Sequence, residues 1–421
     1  MHSFNLQLDK RTAVNYFYNQ ILRGKKDGHK SFKIIVRDQQ TYANVCAPIA
    51  GIIDYFKLQG MTFKLFFDNP HSYARSTQID NPKIVEKEKG GTELHYPLDK
   101  VWKFSTSEGV KEIVDALILA VRQGDVVEEG VITSLEWCLN ESLDNVLQHS
   151  EVGYGYVMAQ HHKNQKQFSV CVFDSGIGFF NSLKDSKHHP RTRLDAITLA
   201  LQEKVTRDDK IGQGNGLWGL SRIIEDGHGT LLVCSAGASY MMKKNGSINT
   251  EEEGYFQLDK KHGTALIDFQ MNYDNPVNID KALNGHHLTD LWLDNLENDD
   301  GEVYIKIAEQ AGGTGTRKSA EKMRNMVLNI AKTEKKKVTL DFSGVNLISS
   351  SFADELFGKI ISQYGILFFM KKFDIINLTS SNNSVINRSI MQRMAQTYYD
   401  ETLGSLFTEI FDEELNKEDK N

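Results

Sequence analysis

Glu141, Asn145 and His149 recur at intervals of four. On a helix each step of four advances about 40°, so one face carries an acid, an amide and an imidazole. The acid can orient or deprotonate an attacking hydroxyl or water. The amide oxygen is a neutral hard ligand for Mg²⁺, which also binds phosphate oxygens. A solvated helix face is the plainer reading of this spacing, and His149 reads equally as a bystander or a participant. Asp174-Ser-Gly176-Ile-Gly178 comes next. Its acid can accept from an exocyclic amine, which favours adenine, and its glycines let backbone approach a flat base. An Asx turn after a strand is the alternative. Gly212-Gln-Gly214-Asn-Gly216-Leu217-Trp-Gly219-Leu220 then opens a helix, where free N–H groups favour phosphate. No Gly-Lys-Ser/Thr follows, so this is not a Walker loop. A polar stretch separates it from the preceding strand, which excludes the dinucleotide fingerprint. A flexible lid hinge is its alternative. In this order, within eighty residues, the three segments describe a site for ATP and Mg²⁺.

The elements that position them read as α/β. Ser107 can cap a helix with Val110, Ile113, Val114, Leu117, Ile118 and Val121 on one face. A second helix runs from about Glu129 to His149. Tyr154–Gln160 and Gln167–Phe173 read as strands, the latter ending at Asp174. Residues 179–211 form a polar, largely helical insert, and Leu217–Glu225 a further helix. Leu231–Cys234, Tyr255–Leu258 and Thr264–Phe269 are strand candidates. Upstream, Phe32–Val36 and Thr62–Phe67 read as strands around a helix beginning at Pro48. The stretch 70–91 reads as loop. Downstream, Val303–Ile307, Val338–Phe342, Ile366–Phe369 and Asp374–Leu378 read as strands. Helices are expected after Gly312–Arg317, with Met323, Val327 and Ile330 on one face, and over Ser351–Gln363 and Asn383–Thr397. The domain lines fall at 1–100, 101–275, a linker 276–300, 301–412 and a charged tail 413–421.

Composition sets limits. Forty per cent hydrophobic and 25% charged residues match a soluble chain. A net charge of −7 offers no general field for nucleic acid or anionic membrane. The basic run Lys332–Lys337 reads as a solvated helix end. No apolar run approaches the roughly 18 residues that span a bilayer, and no signal pattern opens the chain. Cys46, Cys138, Cys171 and Cys234 are scattered in apolar stretches, which predicts buried free thiols and a cytoplasmic setting.

The three segments resemble the N box and the two glycine boxes of the GHKL ATPase superfamily over residues 105–270. The Glu-x3-Asn-x3-His form is most similar to the anti-sigma-factor serine kinases. The resemblance implies a Bergerat-type α/β sandwich, with Glu141 as general base and Asn145 as Mg²⁺ ligand. It implies Asp174 on the adenine amine, Gly176 and Gly178 at the base, and Gly212, Gly214, Gly216, Leu217 and Gly219 on phosphates. Thr264 matches the threonine that the family places near adenine, and residues 179–211 match its lid, with Arg207 or Lys210 toward the γ-phosphate. The helix 107–123 has no His, which argues against autophosphorylation of the histidine-kinase type. Pairing within the superfamily implies a homodimer.

Leu340–Leu356 resembles the strand–loop–helix of STAS domains, in particular a STAS-like domain of unassigned function. By position Ser351 corresponds to the serine phosphorylated in anti-sigma-factor antagonists. Ser349 stands where those have an acid. The alternative is that Ser351 and Asp354 form a helix cap. The Gly312–Thr316 turn lacks the lysine of a phosphate loop. Three functions follow: an ATP-driven regulatory switch acting on an unidentified protein partner, a serine protein kinase, or a non-catalytic nucleotide-binding scaffold. The domain pairing suits a bacterial or phage-related setting, regulatory or defensive.

Overall fold

The computed structural model describes all residues except 11, 38–39, 69–72, 86–93, 95, 206–215, 260, 284–292, 294–295, 299–301, 334–336 and 397–421. The chain divides into two units, Met1–Val121 with Val127–Asp290, and Arg122–Val126 with Leu291–Asn421. Both are α/β.

In the first unit, β1 (His2–Leu6), β2 (Ser31–Val36) and β3 (Thr62–Phe67) form a parallel sheet in that order. The crossovers are α1 (Ala13–Lys26) and α2 (Ala43–Lys57). β1 and α1 are additions to the elements expected from the sequence. Val14, Phe17, Tyr18 and Ile21 keep helical spacing and are all buried. Pro48 lies inside α2 rather than at its start. The helix opens at Ala43, whose N–H donates to the Gln160 side chain at 2.8 Å. That acceptor lies 117 residues away in sequence, so no local signal marks the true start. The stretch expected as loop holds α3 (Tyr73–Ser76) and the short strand β4 (Lys83–Val85).

β4 begins an eight-stranded sheet with β5 (Trp102–Phe104), β6 (Gly155–His162), β7 (Gln167–Asp174), β8 (Thr230–Ser235), β9 (Ala238–Met242), β10 (Ile248–Glu251) and β11 (Ala265–Asn272). The order is β10-β9-β8-β11-β7-β6-β5-β4, antiparallel except for β4–β5. Its two faces alternate along each strand. Tyr156, Met158, Cys171, Phe173 and Leu266 share one core with Ile49, Ile53 and Phe17, so α2 covers one face. α5 (Val131–His149) covers the other, where Gly155 abuts Val146. α4 (Ser107–Gly124) is capped by Thr106, which accepts from the Gly109 N–H at 3.0 Å; Ser107 is already helical.

Two further expectations change. Tyr255–Leu258 forms no strand, because its apolar residues Phe256 and Leu258 fill the core beneath α1 and α2 without entering a ladder. Tyr18 donates to the Gln257 and Leu258 carbonyls at 2.6 and 3.0 Å and fixes this segment. β9 and β10, which the sequence reading passed over, form a hairpin closed by Lys243 and Ser247. All four cysteines are free and buried, as expected. No helix among the described residues is long and apolar enough to cross a membrane.

The second unit holds a parallel sheet of β12 (Val303–Lys306), β13 (Val338–Asp341) and β14 (Phe373–Ile376). The helix Arg317–Thr333 follows β12, and a helical run from Ser350 to Tyr364 follows β13, with a π segment over Asp354–Gly358. Ile366–Lys372 is helical rather than a strand. Gly365 breaks from the preceding helix at φ +85°, and a run of four apolar residues does not itself distinguish helix from strand. Residues 380–396 form the last described helix.

Candidate functional site

α5 presents Glu141 and Asn145 part-buried on one face, and His149 in its last turn. The glycine-rich segment reaches them at Gly216, the first residue of α8 (Gly216–Asp226). A Cβ at Gly216 would strike the Glu141 carboxylate and sit 3.4 Å from Asn145 Nδ2. A side chain at Gly216 would therefore displace the Glu141 carboxylate from its position. Burial, then the nearby charge of Asp144, raises Glu141 above its ordinary value. Leu217 is buried, and a Cβ at Gly219 would strike Trp137 and lie 3.0 Å from Leu283. That gives Gly219 a packing reason for its lack of a side chain. Gly212, Gly214, Arg207 and Lys210 lie outside the described residues.

A second group forms where β7 ends. Asp174 accepts from the Gly176 N–H at 2.8 Å, so the Asx turn is real. The turn is pinned to the end of α5, because the Ile177 N–H donates to the Ser150 carbonyl at 3.1 Å. Antiparallel pairing sets Ala265 opposite Asp174, which brings Thr264 beside the turn; its N–H donates to the Gly176 carbonyl at 3.1 Å. Gly178 has φ +71°, and a Cβ there would lie 2.6 Å from Ser235 Oγ and 2.8 Å from the Thr264 carbonyl. Thr264 itself has φ +52°, an unusual conformation for a β-branched residue. Ser235, which the sequence reading did not single out, ties the group together. Its hydroxyl donates to the Thr264 carbonyl at 2.7 Å and accepts from the Phe179 N–H at 3.1 Å. Only its place at the end of β8, next to β11, reveals this role. Asp174 is 4% exposed, and burial pushes its carboxyl up to about 7 against the lowering effect of the Gly176 N–H.

The insert supplies α6 (Gly178–Leu183) and α7 (Arg193–Ala200). Thr192 caps α7, and the Glu252 carboxylate accepts from the Arg193 N–H at 2.9 Å and the Leu194 N–H at 3.3 Å. The α7 N-terminus is thus satisfied from within the chain.

In the second unit the helix after β13 is capped by Ser349, not by Ser351 with Asp354. Ser349 Oγ accepts from the Phe352 N–H at 3.0 Å and lies 3.0 Å from Ser351 Oγ. Asp354 is instead held by the Arg393 fork at 2.6 and 2.8 Å, which keeps its carboxyl below the ordinary range. Ser349→Ala is expected to destabilise the chain by about 1 kcal/mol in urea unfolding, and Ser351→Ala by only a few tenths. Equal losses from the two variants would contradict this assignment of the cap.

A family model described as STAS-like domain of unknown function (DUF4325) matches residues 319–383. This agrees with the STAS-like reading of the C-terminal segment and assigns it no activity. No GHKL family model matches the chain. No curated protein matches it. The chain therefore carries a STAS-like domain of unassigned function downstream of the two residue groups gathered around α5, at the start of α8 and at the end of β7.

Proposed function

We propose that this chain is an ATP-binding regulatory protein of GHKL type. Uptake and hydrolysis of Mg-ATP would change how its STAS-like domain and a protein partner interact, in a cytoplasmic setting. The observation that carries the reading is the meeting of Gly216 with Glu141 and Asn145. Residues from two separate sequence segments meet there.

The two groups of residues suit the two ends of a nucleotide. About nine helical residues, roughly 14 Å, separate Glu141 from Ser150 along α5. Asp174, Gly176, Gly178 and Thr264 gather at the Ser150 end and suit the base. One oxygen of Asp174 is taken by Gly176, and the other is available to an exocyclic amine. Gly216 with Glu141 and Asn145 suits the phosphates. The Asn145 amide oxygen beside one carboxylate fits Mg²⁺, which keeps several waters and arrives with phosphate oxygens. Bound there, the ion neutralises phosphate charge. Glu141, with its proton affinity raised by burial, orients a water and takes its proton.

Titration with ATP tests this reading. Wild-type protein should bind ATP more tightly with Mg²⁺ than with a chelator, and Asn145→Ala should erase that difference. Binding that gains as much from Mg²⁺ in the variant as in the wild type would remove Asn145 from the site.

The resemblance to anti-sigma-factor kinases and their antagonists favours a second reading, that of a serine kinase. Glu141 would then activate a serine hydroxyl, with Ser351 as the acceptor by position. Label from γ-labelled ATP that stays on the protein and disappears in Ser351→Ala would favour it; release of free phosphate favours the switch. The retained acid Glu141 argues against a scaffold that only holds nucleotide.

A further inference from the structure

The face of the large sheet that α2 covers changes character along its strands. Beneath α2 it is apolar, with Tyr156, Met158, Cys171 and Phe173. Beyond the N-terminus of α2 the same face continues as Gln160 and His162 on β6, Gln167 and Ser169 on β7, and Asp268 and Gln270 on β11. The register aligns Gln160, Ser169 and Gln270 in a single rung of amide, hydroxyl and amide across three strands. A cavity of about 620 Å³ opens over this platform, within the usual range for a small-molecule site.

Its walls are polar, and each of its two described carboxylates accepts from a side-chain amide. Asp268 accepts from Asn44 Nδ2 at 3.0 Å, and Asp99 accepts from Gln160 Nε2 at 3.1 Å. Burial holds His162 below its ordinary value, which favours the neutral ring. No lysine or arginine lines the cavity among the described residues. Thr41, which lines it, is 3% exposed, and its hydroxyl has no hydrogen-bond partner among them. The Asn44 carbonyl oxygen is likewise buried and unpartnered. Buried polar groups of this kind are normally satisfied, so each marks a place for a ligand or water. Tyr42 and Tyr73 stand exposed at the rim and offer ring faces.

We propose that this cavity binds a neutral, hydroxyl-rich ring ligand, a sugar of mono- to disaccharide size, on the sheet face opposite α5. Gln160 and the Gln270 oxygen are already bonded within the protein, so the Thr41 hydroxyl, the Asn44 carbonyl oxygen and the Gln270 amide nitrogen supply the acceptors and donors for ligand hydroxyls, and the tyrosines cover the apolar side of the ring. The missing cations exclude phosphate as the recognised group. The site stands independently of the nucleotide reading, because no residue is shared between them.

The test is calorimetry on the full chain in excess Mg-ADP, with glucose, galactose, maltose, adenosine and inorganic phosphate as separate titrants. At least one of the three sugars should bind saturably at millimolar concentration. Gln270→Ala should weaken that binding at least tenfold. Thr41→Val, which removes only an unpartnered hydroxyl, should weaken it about fivefold without lowering the melting temperature. Asn145→Ala should leave sugar binding unchanged even if it alters ATP binding. The proposal fails if no sugar binds, if binding survives both cavity variants, or if only adenosine or phosphate binds.

Discussion

Glu141→Gln is expected to lower phosphate release from ATP at least 100-fold while changing ATP affinity by no more than a few-fold. The substitution keeps the shape of the side chain against Gly216 and removes only its capacity to take a proton. General-base groups typically contribute 10²–10⁴ in rate, so the loss should be unambiguous in a phosphate-release assay. In the wild type, burial and Asp144 raise the carboxyl, so turnover should rise with pH as Glu141 loses its proton, and this limb should vanish in the variant. If Glu141→Gln keeps wild-type turnover, Glu141 is not the base. If both proteins bind ATP and neither releases phosphate nor becomes labelled, the scaffold reading replaces the switch.

Asp174→Asn should weaken ATP binding and strengthen the fold at once. A hydrogen bond to a charged group is worth about 1.5–3 kcal/mol, so its loss corresponds to roughly 10- to 100-fold in affinity. The stability effect follows from burial. The Asp174 carboxyl sits near 7 in the folded chain and in the ordinary carboxylate range when unfolded. Between those values the folded state keeps a proton that the unfolded state has lost, so stability falls as pH rises from about 4 to about 7 and is level above. The Asn variant carries no such charge. It should be the more stable protein at pH 8, by about 4 kcal/mol at most, with the advantage fading toward pH 4. Its amide oxygen can still accept from the Gly176 N–H, so the turn should persist. Denaturant unfolding at several pH values checks this. A variant less stable than wild type at pH 8 would mean that a structural role of the carboxylate outweighs its burial cost. For the wild type, ATP affinity should weaken as pH falls below about 7 and the acceptor becomes protonated.

Much of the candidate site was legible because its parts are local. The spacing of Glu141 and Asn145 needs only a helix, and Asp174 needs only the end of a strand. The structure supplies both. What escaped depends on pairing between distant segments. Ser235 joins the group because β8 lies beside β11. The start of α2 is set by Gln160, which belongs to β6. The polar rung of Gln160, Ser169 and Gln270 exists only once three strands are in register. Ser349 rather than Ser351 caps its helix because the helix begins at Ser350, within a run of three serines that offers three possible caps. The spacing of α1 was legible and was passed over. Gly219 shows the converse case, in which a motif position has a packing explanation against Trp137 alongside its motif reading.

In the proposed function Glu141, Asn145, Asp174 and the glycines around them form a single nucleotide site. Calorimetric titration of the full chain with Mg-ATP, repeated on Asp174→Asn, tests it most directly. One saturable site per chain is expected in the wild type, with at least tenfold weaker binding in the variant, which remains folded. No saturable binding to the wild type, or equal affinity in the two proteins, would contradict it.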